Sequence, residues 1–160
     1  QQGKGNDLYR RSIYTFWKRT VPSPMLKTFD APEREFCTTR RSRTNTPLQA
    51  LALLNGPQFV EAARHLAERM LIEGGQTLNE RITYGFRLVT ARIPGQSELA
   101  LLRSAYTENL QHFGADKAAA HKLLQVGDSP YNTGLNISKL AAMTSVARLL
   151  FNLNETVTKG

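Results

Sequence analysis

The chain has 160 residues, of which 41% are hydrophobic and 21% charged, and its net charge is +8. That composition fits one globular domain and excludes wholesale disorder and collagen-like repeats, while a single cysteine, Cys37, excludes an internal disulfide and a cysteine-rich zinc site. No apolar run reaches the roughly 20 residues of a membrane-spanning helix, and the opening QQGKGND lacks the apolar centre of a signal peptide. The basic excess is local: residues 1–43 hold ten Lys or Arg against four acids, and residues 44–160 hold eleven against nine. Such a field attracts any polyanion, because charge reports sign and not chemistry.

Residues 1–7 read as a frayed or linker end, followed by one helical domain over residues 8–160. Within it, residues 8–46 form a helix and an extended basic arm, and residues 47–160 form the bundle. Tyr9, Ile13, Phe16 and Trp17 recur at helical spacing and predict a short helix over residues 8–18. Val21-Pro22-Ser23-Pro24 interrupts it, since each proline removes a donor and restricts the residue before it. The arm then runs to Asn45 with one helical turn at residues 24–29. Met25, Leu26, Phe29 and Phe36 are its expected anchors on the bundle.

Thr46-Pro47 pairs an N-cap hydroxyl with a first-turn proline, and Leu48, Leu51 and Ala52 give the helix that follows one apolar face. Asn55-Gly56-Pro57 ends it and opens the next, where Phe59, Ala63, Leu66 and Met70 form the buried stripe. Glu61, Arg64, His65 and Glu68 cover the opposite side and read as a solvated face. After Gly74-Gly75, Thr77 and Glu80 make a capping box ahead of Leu78, Ile82, Phe86 and Val89, and this helix ends near Ile93-Pro94-Gly95. Ser97 is the expected cap of a helix carrying Leu99, Leu102, Tyr106, Leu110 and Phe113 up to Gly114. A shorter helix over residues 115–125 and a loop over residues 127–134 follow.

The last helix, residues 137–153, is apolar nearly all round, with a narrow stripe of Ser138, Ser145, Arg148 and Asn152. Such a helix belongs at the centre of a core. Ser138 should tolerate alanine, and Arg148 should reach solvent at a seam or meet a carboxylate. With no alternating strands, the fold class is all-α: an irregular bundle of about five or six helices with an extended basic N-terminal arm.

Candidate chemistry is sparse. His65, His112 and His121 lack a second histidine at metal-ligand spacing. Glu61, His65 and Glu68 lie close enough along one helix to orient a proton donor, yet that spacing suits weak surface pairing better. Cys37, near Arg34, Arg40 and Arg41, reads as a small buried hydrophobe more readily than as a nucleophile. Arg40, Arg41, Arg43, Thr44 and Thr46 have the parts of an anion site at a helix start, with fastening of the arm through Asp30, Glu33 and Glu35 as the competing use. Tyr14 and Trp17, beside Lys18 and Arg19, offer stacking faces for a sugar or base, with core anchoring as the alternative. Two glycosylation-type triplets begin at Asn136 and Asn154, and nucleic-acid binding lacks a recognisable motif.

The strings YRRSIYTFWKRTVPSPMLKTFDAPEREFC from Tyr9, RRSRTNTPLQALALLNGPQFVEAARHLAERM from Arg40 and LLFNLNETVTK from Leu149 resemble the C-terminal domain of unknown function of large planctomycete proteins that also carry planctomycete-type cytochrome c domains. Gly56 departs from the resemblance, which has an acidic residue after the asparagine. The resemblance implies an exported parent, periplasmic or at the cell surface, with haem c held elsewhere, because this chain lacks a C-x-x-C-H motif and so carries no cofactor of its own. It implies no catalytic residues. The leading expectation is a non-catalytic interaction or scaffolding domain whose partners are the parent's other domains. An acidic-polysaccharide module and a part of an active site completed upstream are the alternatives.

Overall fold

The computed structural model describes residues 5–10, 12–14, 21, 23–32, 37–40 and 44–158. Two 3-10 helices, Gly5–Tyr9 and Ser12–Tyr14, stand where a single α-helix is predicted. Tyr9 and Ile13 of the predicted stripe are exposed, as is Tyr14, and a helix that short is marginal without packing. Phe16, Trp17, Lys18 and Arg19 lie outside the described residues, as do Arg34, Phe36, Arg41 and Arg43.

The predicted helical turn is present as α1 (Pro24–Thr28), with proline in its first turn. Its end packs through Phe29 against Phe59, ring centroids 5.9 Å apart. Leu26 is half-buried, whereas Met25 is exposed and does not anchor the arm.

Thr46 caps α2 (Pro47–Asn55) in a reciprocal box with Gln49: the Thr46 oxygen accepts from the Gln49 amide at 3.3 Å, and the Gln49 side-chain oxygen accepts from the Thr46 amide at 3.0 Å. The inward face of α2 is not the predicted one. Gln49 and Leu53 are buried, while Leu48 and Leu51 are 60% and 56% exposed. Gln49 turns inward because its amide nitrogen also donates to the Thr28 carbonyl at 2.9 Å, fastening α1 to α2.

α3 (Pro57–Glu73) buries Ala63, Leu66 and Met70. α4 (Leu78–Thr90) starts at the predicted capping box, with Ile82 and Phe86 inside. α5 (Gln96–Ala115) is capped at Gly95, not Ser97, because the Glu98 carboxylate reaches back to the Gly95 amide at 2.7 Å. Asp116 caps α6 (Lys117–Leu124), and Asn136 caps α7 (Ile137–Phe151). One further turn, α8 (Asn154–Val157), is absent from the sequence reading. It is held by Arg92, which meets Glu155 at 2.5 Å and Glu98 at 2.6 Å.

The predicted centre is correct. α7 packs chiefly on α3 and α5 and also touches α2, α4, α6 and α8, with Leu140, Met143, Val146 and Leu150 wholly buried. Its polar stripe is drier than predicted. Ser138 is buried and donates to the Phe113 carbonyl at 2.8 Å, near the end of α5. Arg148 is half-buried and meets no carboxylate among the described residues: its guanidinium donates to the Leu54 carbonyl, with Nε at 2.9 Å, and so closes the last turn of α2. Burial pushes its pKa down.

Candidate functional site

The polar face of α3 is where the structure departs furthest from the sequence reading. Glu61 and Arg64 are 2% and 1% exposed. They are covered by the α6–α7 connection, whose residues 124–132 lie across them. Helical periodicity places Glu61, Arg64, His65 and Glu68 on one face, and it is silent on a loop that returns sixty residues later.

Each side chain holds a different part of that loop. Glu61 Oε2 accepts from the Asp128 amide at 3.0 Å, and Oε1 accepts from the Ser129 amide at 2.9 Å and from the Ser129 hydroxyl. The Tyr9 hydroxyl is an electrostatic neighbour of this carboxylate. Burial pushes the Glu61 carboxyl up, but the donors from Ser129 and Asp128, with Tyr9 beside them, together outweigh it and hold the group at about 2. Burial first, and then the Glu61 carboxylate, raise Tyr9 to about 12. Gly127 makes the approach possible. Its φ is +104°, and a Cβ there would sit 2.7 Å from Glu61 Cβ.

Arg64 supplies the opposite polarity. Nη1 donates to the Leu124 carbonyl at 2.5 Å, where α6 ends, and Nη2 donates to the Ser129 carbonyl and hydroxyl, both at 2.7 Å. Its guanidinium lies 3.7 Å from Glu61 Oε1. Glu68 Oε1 accepts from the Asn132 amide at 2.8 Å. Acids on α3 therefore take loop N–H groups, and the arginine takes loop C=O groups, which satisfies a backbone turned toward the core.

His65 lies between them. Its Nε2 is 2.8 Å from Ser129 Oγ and its Nδ1 is 3.2 Å from Glu68 Oε2. That order of nitrogens is the one a serine-hydrolase relay uses. The Ser129 hydroxyl has a competing acceptor in Glu61. Ser129 has one hydroxyl proton, and an ionised Glu61 can only accept, so the proton lies toward Glu61. Arg64 donates to the same oxygen, so Ser129 Oγ is shared between Arg64, Glu61 and His65. The cluster is a clamp.

The other candidates fare differently. The anion that Thr44 faces is the chain's own: its amide and hydroxyl both donate to the Asp30 carboxylate at 2.8 Å. Thr46 is occupied by the α2 cap, and Arg40 is exposed. Arg41 and Arg43 of the predicted site lie outside the described residues, and Asp30 and Thr44 join two parts of the arm to each other. Tyr14 is 73% exposed and anchors no core. Cys37 is exposed, contrary to the buried reading. His121 pairs with Tyr131, Nδ1 to hydroxyl 3.1 Å, and His112 stacks edge-on against Phe113. Both glycosylation-type asparagines do structural duty, Asn136 as a helix cap and Asn154 as the acceptor for Asn45 at 2.8 Å. An open groove along α4, lined by Asn79, Thr83, Tyr84, Arg87 and Leu88, uses none of the clamp residues. Among the described residues, no cluster of His, Cys, Asp and Glu is placed to hold a metal ion, and no helix is long and apolar enough to cross a membrane.

Ser129, Asp128 and Tyr9 were missed as partners of α3. No sequence signal joins them to it. The Thr46 and Gln49 box was legible, since a threonine followed three residues later by glutamine is its signature.

The strings that carry the clamp face and the capped α2 fall within residues 1–106, which match the family model described as PSD1, protein of unknown function (DUF1553). The chain belongs to this family. No curated protein and no solved structure matches it. Glu61, Arg64, His65 and Glu68 lie inside the PSD1 match, whereas the loop they hold, with α6 and α7, lies beyond it.

Proposed function

We propose that this PSD1 domain is a non-catalytic interaction or scaffolding domain of a large exported protein, of planctomycete type, in which cytochrome c-type domains lie elsewhere. Its partners are then the parent's other domains, and its location is periplasmic or at the cell surface. The observation that carries this reading is α2. The helix is fixed at both ends, by the Thr46 box and by Arg148, yet it turns Leu48 and Leu51 outward. A rigid helix presenting adjacent leucines to water is what a docking face requires. Polar groups that would serve catalysis are meanwhile engaged in holding the loop. The acidic-polysaccharide reading has less support, since Thr44 and Thr46 are both occupied.

The test is association between this chain and the upstream remainder of its parent, measured by calorimetry. The double variant Leu48→Glu/Leu51→Glu is expected to weaken binding at least about tenfold while leaving thermal unfolding within a few degrees of wild type, because both positions are exposed. Binding by the variant at wild-type strength, or no association at all, would sink the reading.

A further inference from the structure

The loop that covers α3 is pinned by a histidine as well as by Glu61 and Arg64. His65 Nε2 is 2.8 Å from Ser129 Oγ, and its Nδ1 is 3.2 Å from Glu68 Oε2. Glu68 in turn accepts from the Asn132 amide through its other oxygen, and Ser129 Oγ also meets the Glu61 carboxylate and Arg64 Nη2. The ring stands in the middle of the hold on residues 129–132. Three of these links have no donor fixed in advance: Ser129 Oγ to Glu61, His65 Nε2 to Ser129 Oγ, and His65 Nδ1 to Glu68. Each needs one proton. Ionised carboxylates bring none and Ser129 brings one, so a neutral imidazole raises the supply to two and an imidazolium raises it to three.

We infer that His65 is a proton-dependent pin for this loop: the imidazolium completes the three links at Ser129 and Glu68, and loss of its proton gives up one of them. The surrounding charges agree in sign. The ring lies 3.2 Å from Glu68 and 4.0 Å from Glu61, two carboxylates against the one Arg64 guanidinium, which is itself 3.7 Å from Glu61. From the loop side, Asp128 is exposed, His121 pairs with Tyr131, and Tyr9 neighbours Glu61. Charged groups on the helices packed against α3 turn elsewhere: α2 has none, Arg81 and Tyr84 of α4 meet the Gly75 carbonyl and Glu73, Arg148 of α7 meets the Leu54 carbonyl, and Lys139 is exposed. Histidine changes charge between about pH 5 and 8. The protonated form is the one that gains partners, so the pin is set at the acid end of that window and released toward the alkaline end. Glu61 has the opposite sense, its contribution fading only below pH 4.5, so the loop is held best near about pH 5. The pin is an internal equilibrium of the chain and does not rest on the docking role proposed for α2.

Amide hydrogen exchange on the 160-residue chain tests it, read as protection factors so that the intrinsic pH dependence of exchange divides out. Between about pH 5.5 and 8.5, protection at the Ser129 and Asn132 amides is expected to fall about fivefold while α7 keeps its own. The effect is modest because the ring is 45% exposed. His65→Gln, at a half-buried position, should abolish the fall. No fall in the wild-type chain would overturn the inference, whether or not the variant folds. A fall of the same size in His65→Gln would overturn it as well and assign the titration to another group, such as His121. So would a parallel loss of protection in α7, since the proton would then act on the whole fold and not on the loop.

Discussion

Replacing Arg64 with alanine is expected to lower the unfolding free energy by about 3–5 kcal/mol, the range for removing one partner of a buried charge pair. Three losses coincide. Glu61 stays buried 3.7 Å from where its counter-charge was, the Leu124 and Ser129 carbonyls lose their donors, and a long side chain leaves a space under the loop. Arg64→Lys should be worse than its charge suggests. Lysine has no planar fork to serve α6 and the loop together. Urea denaturation of the three proteins measures this. A loss below about 0.5 kcal/mol for Arg64→Ala would mean that residue 64 behaves as a surface position.

Leu150→Ala is expected to cost about 2–5 kcal/mol, because α7 is enclosed by neighbours and the cavity cannot readily collapse. Two controls bracket the value. Ile72→Ala, at an exposed position on α3, should stay within about 0.5 kcal/mol of wild type. Ser138→Ala should fall between them, at about 1–3 kcal/mol, since the Phe113 carbonyl loses its buried donor. If Leu150→Ala matched Ile72→Ala, α7 would not be the centre of the bundle.

Much of this architecture was legible in the sequence. The positions of α3 through α7 follow from stripes such as Ile82, Phe86 and Leu140, Met143, Val146, Leu150, and the start of α4 from Thr77 and Glu80. These are local patterns, and a local pattern reports which residues share a face. What it does not report is what covers the face. That is why Leu48 and Leu51 were placed inward and Glu61 and Arg64 outward, the reverse of what the structure shows. In both cases a tertiary hydrogen bond decided the matter: Gln49 to Thr28 for α2, and the loop amides to Glu61 for α3. At the N-terminus the described residues form 3-10 turns where an α-helix was expected. Tyr9 and Ile13 have the spacing of a buried stripe with Phe16 and Trp17, but both are exposed, and Phe16 and Trp17 lie outside the described residues.

The central claim is that the charges of α3 are an internal clamp, and the pH dependence of stability in wild type and Glu61→Gln tests it most directly. Glu61 titrates at about 2 in the folded chain against an ordinary value of 4.5. A folded pKa below the unfolded one means the stabilisation is fully present above pH 4.5 and is lost as pH falls toward 2. Its size at neutral pH is on the order of 3 kcal/mol. Glutamine keeps the length of the side chain but brings no charge, and its NH₂ faces loop amides that also donate. The account predicts that Glu61→Gln is less stable than wild type by about 2–3 kcal/mol at pH 7, with the gap closing between pH 4.5 and pH 2. Equal stability at pH 7, with the two curves running parallel into acid, would contradict it.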